Sequence, residues 1–261
     1  MEPLTLESIF GLGGRRALVT GASTGLGVEF AEALAIAGAD VALVARREDL
    51  LRDVAARLAA YRGRVAVIPA DLAVADAAVD VFDRCEAELG PIDILVNNAG
   101  RHQAIRAERV TPEQWREVIA LNLDAVFALC QEFARRRFRD GGDGRIINVG
   151  SVIGAVASST PGLAAYAAAK GGLAMLTRQL AIEWGPRRIT VNTIAPAYFP
   201  TELNAKDFEN AKIRERIETF TPLGRLGQPG ELRAALLFLA SPAASYVTGA
   251  TVFVDGGYTA W

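Results

Sequence analysis

The stretch "RALVTGASTGLGVEFAEALA" (residues 16–35) decides the fold, because a short apolar run passes through a glycine-rich turn into a longer amphipathic run. The apolar run at 16–20 predicts a strand, and the run that follows predicts a helix. Gly21, Gly25 and Gly27 permit a tight turn and a close approach to the backbone. The N–H groups that open such a helix favour an anion such as a phosphate. Taken alone, the stretch is also compatible with a plain strand-to-helix loop.

The alternation of short apolar runs and longer amphipathic runs continues along the chain. Further strands are predicted at 40–45, 64–70, 92–99, 145–150, 189–196 and 251–256. Helices are predicted at 25–37, 48–61, 75–89, 112–138, 163–185 and 230–240. This order predicts an α/β, Rossmann-like fold, a doubly wound parallel sheet of seven strands with helices on both faces. No linker is evident, so residues 1–261 are expected to form a single domain. The polar region at about 197–229 predicts a small lobe that covers the C-terminal edge of the sheet.

Composition excludes several classes of function. The net charge is −2, so the chain lacks the basic character of a nucleic-acid binder. A single histidine, His102, excludes a multi-histidine metal site, and no metal is expected. Cys85 and Cys130 do not form a disulfide framework, which favours free thiols in a reducing compartment. The N-terminus has no apolar signal core, and no apolar run approaches the roughly 18 residues that span a bilayer. We therefore expect a soluble, cytoplasmic protein with no membrane or nucleic-acid partner.

Five motifs, in a fixed order, resemble those of the short-chain dehydrogenase/reductase family. They are T-G-x-x-x-G-x-G at 20–27, "NNAG" at 97–100, Asn122 in "ALNLDAVF", Ser151 in "NVGSVIG" and "YAAAK" at 166–170. The ending "VTGATVFVDGG" (247–257) is also similar to the family's last strand. The resemblance runs from about Gly11 to the end of the chain. It implies a Rossmann-like fold and a nicotinamide cofactor.

The spacing of Tyr166 and Lys170 carries chemistry of its own. Residues four apart on a helix share a face, so the two side chains are expected to project together. A free phenol has a pKa of about 10, and a nearby ammonium lowers such a pKa. The pair is therefore expected to make the phenol an acid or base near neutral pH. Without the surrounding motifs, a tyrosine at a helix interface and a solvated lysine would explain the pattern as well.

The resemblance gives each catalytic residue a role. It implies that Tyr166 transfers the hydroxyl proton of the substrate and that Ser151 hydrogen-bonds the substrate oxygen. Lys170 would shift the pKa of the phenol and hold the cofactor ribose, and Asn122 would keep a relay water beside Lys170. The 15-residue spacing from Ser151 to Tyr166 is longer than the family usually shows, so residues 155–162 are expected to bulge and reshape the substrate pocket. Ser158 and Ser159 are nearby hydroxyls that we do not expect to replace Ser151.

The resemblance also implies the residues that contact the cofactor. They are Gly21, Ser23, Thr24, Gly25, Leu26, Gly27, Arg46, Arg47, Asp71, Leu72, Asn98, Ala99, Gly100, Tyr166, Lys170, Phe199 and Thr201. Asp71 would bind the adenine, although a helix N-cap explains it equally well. Ala197 replaces the glycine that usually follows the sixth strand, which puts the local turn in question. Thr201 would contact the nicotinamide carboxamide.

The end of the second strand bears on the choice between NADP(H) and NAD(H). Ala45 stands where NAD-binding members carry an acid, and Arg46 and Arg47 follow it. A guanidinium can hold a 2′-phosphate through charge-assisted hydrogen bonds, so NADP(H) is favoured over NAD(H). Two facts stand against this. Thr24 occupies the place of a second basic residue, and Arg47 could simply begin a solvated helix.

The resulting hypothesis is an NAD(P)(H)-dependent oxidoreductase that interconverts a secondary alcohol and a ketone. The alternative is a cofactor-binding regulator or structural subunit without turnover, and a lyase or epimerase on the same scaffold also remains open. Among members of the family, the chain resembles sugar-acid dehydrogenases of the gluconate 5-dehydrogenase kind and 3-oxoacyl-carrier-protein reductases. The substrate pocket is expected from residues 101–103, from 152–157 and from the lobe. His102 could equally be an exposed loop residue. Apolar outer faces on the segments 112–138 and 163–185 predict a closed dimer or tetramer. The resemblance favours a homotetramer.

Overall fold

Seven parallel strands form one sheet in the computed structural model, which describes residues 5–74, 76–158, 161–201 and 208–261. The strands are β1 Arg16–Thr20, β2 Asp40–Ala45, β3 Val65–Pro69, β4 Ile94–Asn97, β5 Gly144–Val149, β6 Ile189–Pro196 and β7 Thr251–Val254. Their order is β3-β2-β1-β4-β5-β6-β7, and every neighbouring pair is parallel. This confirms the predicted Rossmann-like α/β sheet.

The helices lie between successive strands, except that the first helix precedes β1. They are α1 Leu6–Phe10, α2 Leu26–Ile36, α3 Glu48–Leu58, α4 Ala77–Leu89, α5 Pro112–Ile119, α6 Ala125–Asp140, α7 Ala164–Trp184, α8 Ala211–Phe220 and α9 Arg233–Ala240. The helix α8 belongs to the region expected to form the substrate lobe, of which residues 202–207 lie outside the described residues. Within the described ranges, no helix is both long enough and apolar enough to cross a membrane.

Each face of the sheet is covered by its own hydrophobic cluster. Successive strand residues point to opposite faces, so Leu18 of β1 packs in one cluster and Val19 in the other. One cluster joins the sheet to α2, α3 and α9, and the other joins it to α4, α6 and α7. Both faces of the sheet are therefore buried, as expected for strands that are apolar along their whole length.

The sheet order creates a crevice at the carboxyl ends of the strands. The chain leaves β1 toward β2 and β3, then returns to pair β4 with the other side of β1. At such a switch point the connections diverge to opposite faces, and ligands bind in the opening between them. The glycine turn after Thr20 and the segment after Asn97 both begin at this opening.

The segment 112–138, predicted as one helix, departs from that prediction. A π-helical turn at Ala120–Asp124 separates α5 from α6. Such a wider turn cannot be recognised from apolar periodicity, because the apolar residues on either side keep an approximately helical spacing. Short π-helical turns are rare and often occur at functional sites.

Candidate active site

The glycine turn brings its backbone close to the end of the fourth strand. Gly21 and Gly25 both have positive φ, +65° and +58°, which favours glycine. A Cβ on Gly21 would lie 2.8 Å from Nδ2 of Asn98, and a Cβ on Gly27 would collide with the Gly21 carbonyl oxygen. The helix α2 begins directly after Gly25, and no side chain caps it. The amides of Val28 and Glu29 donate to the Gly25 carbonyl, which leaves those of Leu26 and Gly27 without an intrahelical partner at the start of the helix.

Asn98 and Thr20 tie the "NNAG" segment to this turn. The amides of Asn98 and Ala99 donate to the Thr20 hydroxyl at 2.9 and 3.0 Å. The Asn98 side chain donates in turn to the carbonyls of Thr20 and Gly21, at 2.9 and 3.2 Å. The structure thus brings the two motifs together as one wall of the crevice.

The two arginines after β2 are placed differently. The Arg47 guanidinium donates to the hydroxyls of Ser23 and Thr24, at 3.2 and 3.1 Å. Both arginines are exposed, but Arg47 extends across the glycine turn, where it is held by these two hydroxyls. Arg47 thus places a positive charge beside Thr24, a position at which the sequence has no basic residue.

Asp71 and Leu72 follow β3 at the same edge of the sheet. The Asp71 carboxylate is exposed and accepts a 3.0 Å hydrogen bond from the Ala73 amide. This bond closes a local turn before α4, which begins at Ala77. Asp71 is therefore not the N-cap of that helix, although one of its oxygens stabilises the loop. Leu72 is buried against the α4 side of the sheet.

Thr201 and Phe199 follow β6 and differ in their surroundings. A Cβ on Gly25 would lie 3.3 Å from Cβ of Thr201, so Thr201 packs over the glycine turn. Phe199 is only 6% exposed and belongs to the hydrophobic core. Its ring packs so closely on Gly227 that no Cβ would fit there. The Phe199 side chain therefore supports the crevice from behind and offers little surface to a ligand.

Ser151, Tyr166 and Lys170 meet at the carboxyl end of β5. Ser151 lies two residues after the end of that strand, and the other two lie one turn apart on α7. The Ser151 hydroxyl accepts a 3.2 Å hydrogen bond from the Ile153 amide and lies beside the Tyr166 phenol, where hydrogen bonding to it lowers the pKa of the phenol. The Lys170 ammonium lies 5.7 Å from the centre of the Tyr166 ring and donates a 2.7 Å hydrogen bond to the Val149 carbonyl. The predicted juxtaposition on one helix face is present.

The pKa shifts of Tyr166 and Lys170 differ from those expected from the sequence. Burial raises the pKa of Tyr166, and the hydrogen bond with Ser151 only partly opposes that effect. The prediction of a lowered pKa for the Tyr166 phenol is therefore wrong for the protein without a bound cofactor. Lys170 is 5% exposed, and burial lowers its pKa to about 8. The ammonium donates to Val149 and not to the phenol, and burial destabilises the charge that was expected to favour the phenolate.

Asn122 lies in the π-helical turn and is fully buried. Its Nδ2 donates to the carbonyls of Val118 and Arg101, both at 2.8 Å. Its Oδ1 is buried and has no hydrogen-bond partner among the residues that the structure describes. A Cβ on Gly100 would lie 2.8 Å from that Oδ1. The glycine that ends "NNAG" thus makes space for an acceptor that faces the interior of the site.

Of two neighbours of the catalytic pair, the Val149 carbonyl was not identified from sequence, whereas His102 was predicted as a possible pocket residue. The Val149 carbonyl fixes the lysine, but a backbone group leaves no signal in a sequence. The His102 ring lies 6.1 Å from the Tyr166 ring, at an interplanar angle of 70°. Its position directly after "NNAG" was the available signal. Ser159, weighed as an alternative hydroxyl, lies outside the described residues.

The crevice fits a nicotinamide dinucleotide. The glycine turn admits no Cβ at Gly21 or Gly27, and it presents a helix N-terminus on which a pyrophosphate can bind. At the opposite end of the crevice, the serine, tyrosine and lysine hydrogen-bonding groups surround the place where a substrate oxygen can bind. Groups of three or more possible metal ligands are absent from the described part of the chain.

Comparisons with known proteins agree over nearly the whole chain. A family model described as enoyl-(acyl carrier protein) reductase matches residues 21–259. The chain is 42% identical to galactitol 2-dehydrogenase (L-tagatose-forming) of Cereibacter sphaeroides, over 98% of this chain and 99% of that one. It is 38% identical to gluconate 5-dehydrogenase of Gluconobacter oxydans, over 96% and 97% of the two chains.

The solved structures include a gluconate 5-dehydrogenase from Burkholderia cenocepacia in complex with NADP and tartrate. It is 39% identical to this chain, with a TM-score of 0.92, and the match covers 98% of this chain and all of that one. At this level of identity and coverage, the likeness extends to the family as well as to the fold.

Proposed function

The chain belongs to the short-chain dehydrogenase/reductase family, and we propose that it acts on a polyol or a sugar acid. It is an NAD(P)-dependent oxidoreductase that interconverts a secondary alcohol and a ketone. The alternative of a cofactor-binding subunit without turnover has no support in these relatives, which are named as dehydrogenases.

Three proteins that match along nearly the whole chain support this substrate class. Galactitol and gluconate are linear, polyhydroxylated molecules, and the Burkholderia structure contains tartrate, a dihydroxy diacid. A site for such molecules needs hydrogen-bonding groups beside the reacting carbon. His102 provides such a group next to Tyr166, and the side chains of its neighbours Arg101 and Gln103 contact Glu117. A long acyl thioester, the substrate of a 3-oxoacyl reductase, would instead be favoured by an apolar surface at this place.

The observation that carries the catalytic proposal is the contact of the Ser151 hydroxyl with the Tyr166 phenol, beside the buried Lys170. Tyr166 removes the proton from the substrate hydroxyl in the oxidation and returns it in the reduction. Ser151 holds the same oxygen through a second hydrogen bond, so the reacting carbon has one fixed position. When bound, the nicotinamide accepts or supplies the hydride on that carbon.

Lys170 and Asn122 complete the proton path in this proposal. Burial lowers the pKa of Lys170 to about 8, so below that pH the lysine is protonated and its ammonium stabilises a phenolate. The buried Oδ1 of Asn122 can accept a hydrogen bond from a water molecule that connects the lysine to solvent. The Nδ2 bonds to Arg101 and Val118 keep that oxygen in place.

NADP(H) is the preferred cofactor in our proposal. Ala45 offers no carboxylate that would repel a 2′-phosphate, and the Arg47 guanidinium lies over Ser23 and Thr24 of the glycine turn. Arg46 is exposed beside it and free to turn toward the same phosphate. The other contacts predicted from sequence, including Asp71, Asn98 and Thr201, line the same crevice and support the binding of the dinucleotide.

The assembly and the location of the protein are also proposals. We propose a single domain with a substrate lobe at about 197–229, assembled as a homotetramer. Large apolar side chains are exposed on the helices beside the site: Trp115 on α5, Phe127 on α6, and Met175 and Ile182 on α7. Contact between copies would cover them. A reducing compartment such as the cytoplasm suits Cys85 and Cys130, which are free and buried.

The experiment for the proposed function is a substrate panel with both cofactors, in both directions. It contains linear polyols, sugar acids, simple secondary alcohols and a 3-oxoacyl thioester, and nicotinamide absorbance reports turnover. We expect the highest kcat/KM on a polyol or sugar acid with NADP+. A highest value on the thioester, or no turnover of any polyhydroxylated compound, would contradict the proposed substrate class.

A further inference from the structure

The loop that follows "NNAG" is fixed in place although it is exposed. The Arg101 carbonyl accepts a hydrogen bond of 2.8 Å from Asn122, and the Arg101 guanidinium lies 3.2 Å from the Glu117 carboxylate. The Gln103 amide donates to the same carboxylate at 3.1 Å. His102 therefore lies between two residues that are both tethered to the helical segment α5–α6, and its position is defined.

The same loop is also tethered to the segment that leads into α7. The Ile105 amide donates to the Gly162 carbonyl at 3.2 Å. Gly162 has φ of +98°, and a Cβ there would lie 2.8 Å from the Ile105 nitrogen, so the two segments cross closely. This contact holds the loop beside Tyr166, which lies four residues after Gly162.

The imidazole of His102 is available to a ligand. Its ring lies 6.1 Å from the Tyr166 ring in an edge-to-face arrangement. Within the described part of the chain, the ring nitrogens have no hydrogen-bond partner, and the residue is exposed. A neutral imidazole has one donor nitrogen and one acceptor nitrogen, which together match a hydroxyl group. The Tyr166 phenol oxygen positions the reacting hydroxyl of the substrate. The imidazole beside it can therefore reach substrate groups that lie close to the reacting carbon.

We propose that His102 binds the hydroxyl group on the carbon next to the reacting carbon and so selects polyhydroxylated substrates over simple secondary alcohols. This inference rests on the proposed function, because it assumes a substrate with neighbouring hydroxyl groups. It assigns no proton transfer to His102, which leaves Tyr166 as the acid and base. If the imidazole instead only packed against the phenol, its loss would affect all substrates alike.

The test compares two alcohols that react at the same kind of carbon. Hexane-1,2-diol and hexan-2-ol share the secondary alcohol and differ only in the neighbouring hydroxyl group. We measure kcat and KM for both compounds with wild type, His102→Phe and His102→Gln. The phenylalanine keeps a ring against Tyr166, whereas the glutamine keeps a donor and an acceptor. Where wild type oxidises neither compound, their inhibition of the best polyol of the panel is compared instead.

We expect wild type to prefer the diol by about tenfold or more in kcat/KM, the effect of one well-placed hydrogen bond. His102→Phe should lose most of that preference, mainly through a higher KM for the diol, and His102→Gln should recover part of it. Glu117→Ala serves as the control for a loosened loop. It removes the carboxylate that contacts both Arg101 and Gln103 without changing the imidazole, and it should affect both alcohols equally.

The outcomes separate this inference from the proposed function. A wild type that prefers the diol, with the same preference in His102→Phe, overturns the role of His102 and leaves the substrate class intact. An equal loss on both alcohols also overturns it, because the ring would then act through packing. A wild type that is indifferent to the neighbouring hydroxyl, in turnover and in inhibition, overturns both. Thermal melting checks that the exposed substitution leaves the fold unchanged.

Discussion

Lys170 holds its ammonium 5.7 Å from the centre of the Tyr166 ring while it donates a 2.7 Å hydrogen bond to the Val149 carbonyl. The lysine is thus anchored to strand β5 and acts on the phenol through its charge and not through a direct bond. Burial lowers the pKa of Lys170 to about 8 and raises the pKa of Tyr166. The protein interior therefore opposes the charged forms of both groups on which proton transfer depends.

The lowered pKa of Lys170 predicts a pH dependence of stability. An unfolded lysine titrates near pH 10.4, so between about pH 8 and 10 the unfolded chain holds a proton that the folded chain has lost. Stability from this group therefore rises with pH across that window, by at most about 3 kcal/mol. Lys170→Met abolishes this rise. Melting temperatures of the cofactor-free protein, measured at about pH 7 and about pH 9.5, should shift in favour of wild type as the pH increases.

The control for this measurement is Lys212→Met, because Lys212 is exposed. Its melting temperature should differ from that of wild type by the same amount at both pH values. The two buried cysteines, whose pKa values burial raises to about 12, contribute equally to every variant. A difference between wild type and Lys170→Met that stays constant with pH would contradict the lowered pKa.

Substitution of the two arginines after β2 should affect catalysis with NADP(H) and with NAD(H) differently. Arg47→Ala removes the guanidinium over Ser23 and Thr24, and Arg46→Ala removes its exposed neighbour. A charge-assisted contact with a phosphate contributes on the order of 1.5–3 kcal/mol, so kcat/KM with NADP(H) should fall about tenfold to a hundredfold in at least one variant. The NAD(H) value should change much less. An equal effect on both cofactors, or a wild type that prefers NAD(H), would disprove the assignment of this strand end.

Asn122 and Gly100 should behave as a coupled pair. A methyl group at residue 100 would lie 2.8 Å from Oδ1 of Asn122, so Gly100→Ala should displace that oxygen and lower kcat. Asn122→Ala should lower kcat as well, and it leaves the Val118 and Arg101 carbonyls without their donor. In the Asn122→Ala background, Gly100→Ala should lower kcat little further, because the effects of substitutions at residues in contact are not additive. Fully additive losses in this double-mutant cycle would refute the coupling.

The matched control for the glycine substitution is Gly13→Ala. Gly13 has negative φ, and a Cβ there would meet no atom within 4 Å. It should leave kcat unchanged, which separates an effect on Asn122 from a general effect of replacing glycine.

The exposed apolar residues of α7 should lie in the interface between subunits. Ile182 is 73% exposed, so Ile182→Glu should preserve the fold but disrupt a contact between copies. Light scattering should give about four times the 27.7 kDa chain mass for wild type and a smaller mass for the variant. Val74→Glu, at a residue 62% exposed in the loop after β3, should keep the wild-type mass. A monomeric wild type would refute the homotetramer.

The order of the strands and helices was accessible from sequence because local periodicity determines it. The first two strands match the predicted bounds at 16–20 and 40–45, and α7 departs from its predicted ends by one residue on each side. The π-helical turn at Asn122 was not accessible, and neither was the hydrogen bond of the Asn122 side chain with the Arg101 carbonyl, 21 residues away. Tertiary contacts of this kind leave no periodic signal.

The sequence predicted which side chains meet at the site better than it predicted their surroundings. The motifs brought Ser151, Tyr166 and Lys170 together, yet the sign of the phenol's pKa shift depends on burial, which spacing alone does not reveal. Likewise, Arg46 and Arg47 are adjacent in sequence, and only the conformation of the strand end determines that Arg47 extends over Thr24.

The central claim is that Tyr166 transfers the proton, and Tyr166→Phe tests it most directly. The phenyl ring keeps the packing against His102 and Lys170, but the hydroxyl that meets Ser151 is gone. We predict that kcat falls by about a hundredfold to ten-thousandfold, while the dissociation constant of the nicotinamide cofactor, measured by fluorescence titration, stays at the wild-type value. Tyr246→Phe, at a fully exposed tyrosine, should retain full activity. A Tyr166→Phe enzyme that keeps more than a small fraction of the wild-type kcat would contradict the account.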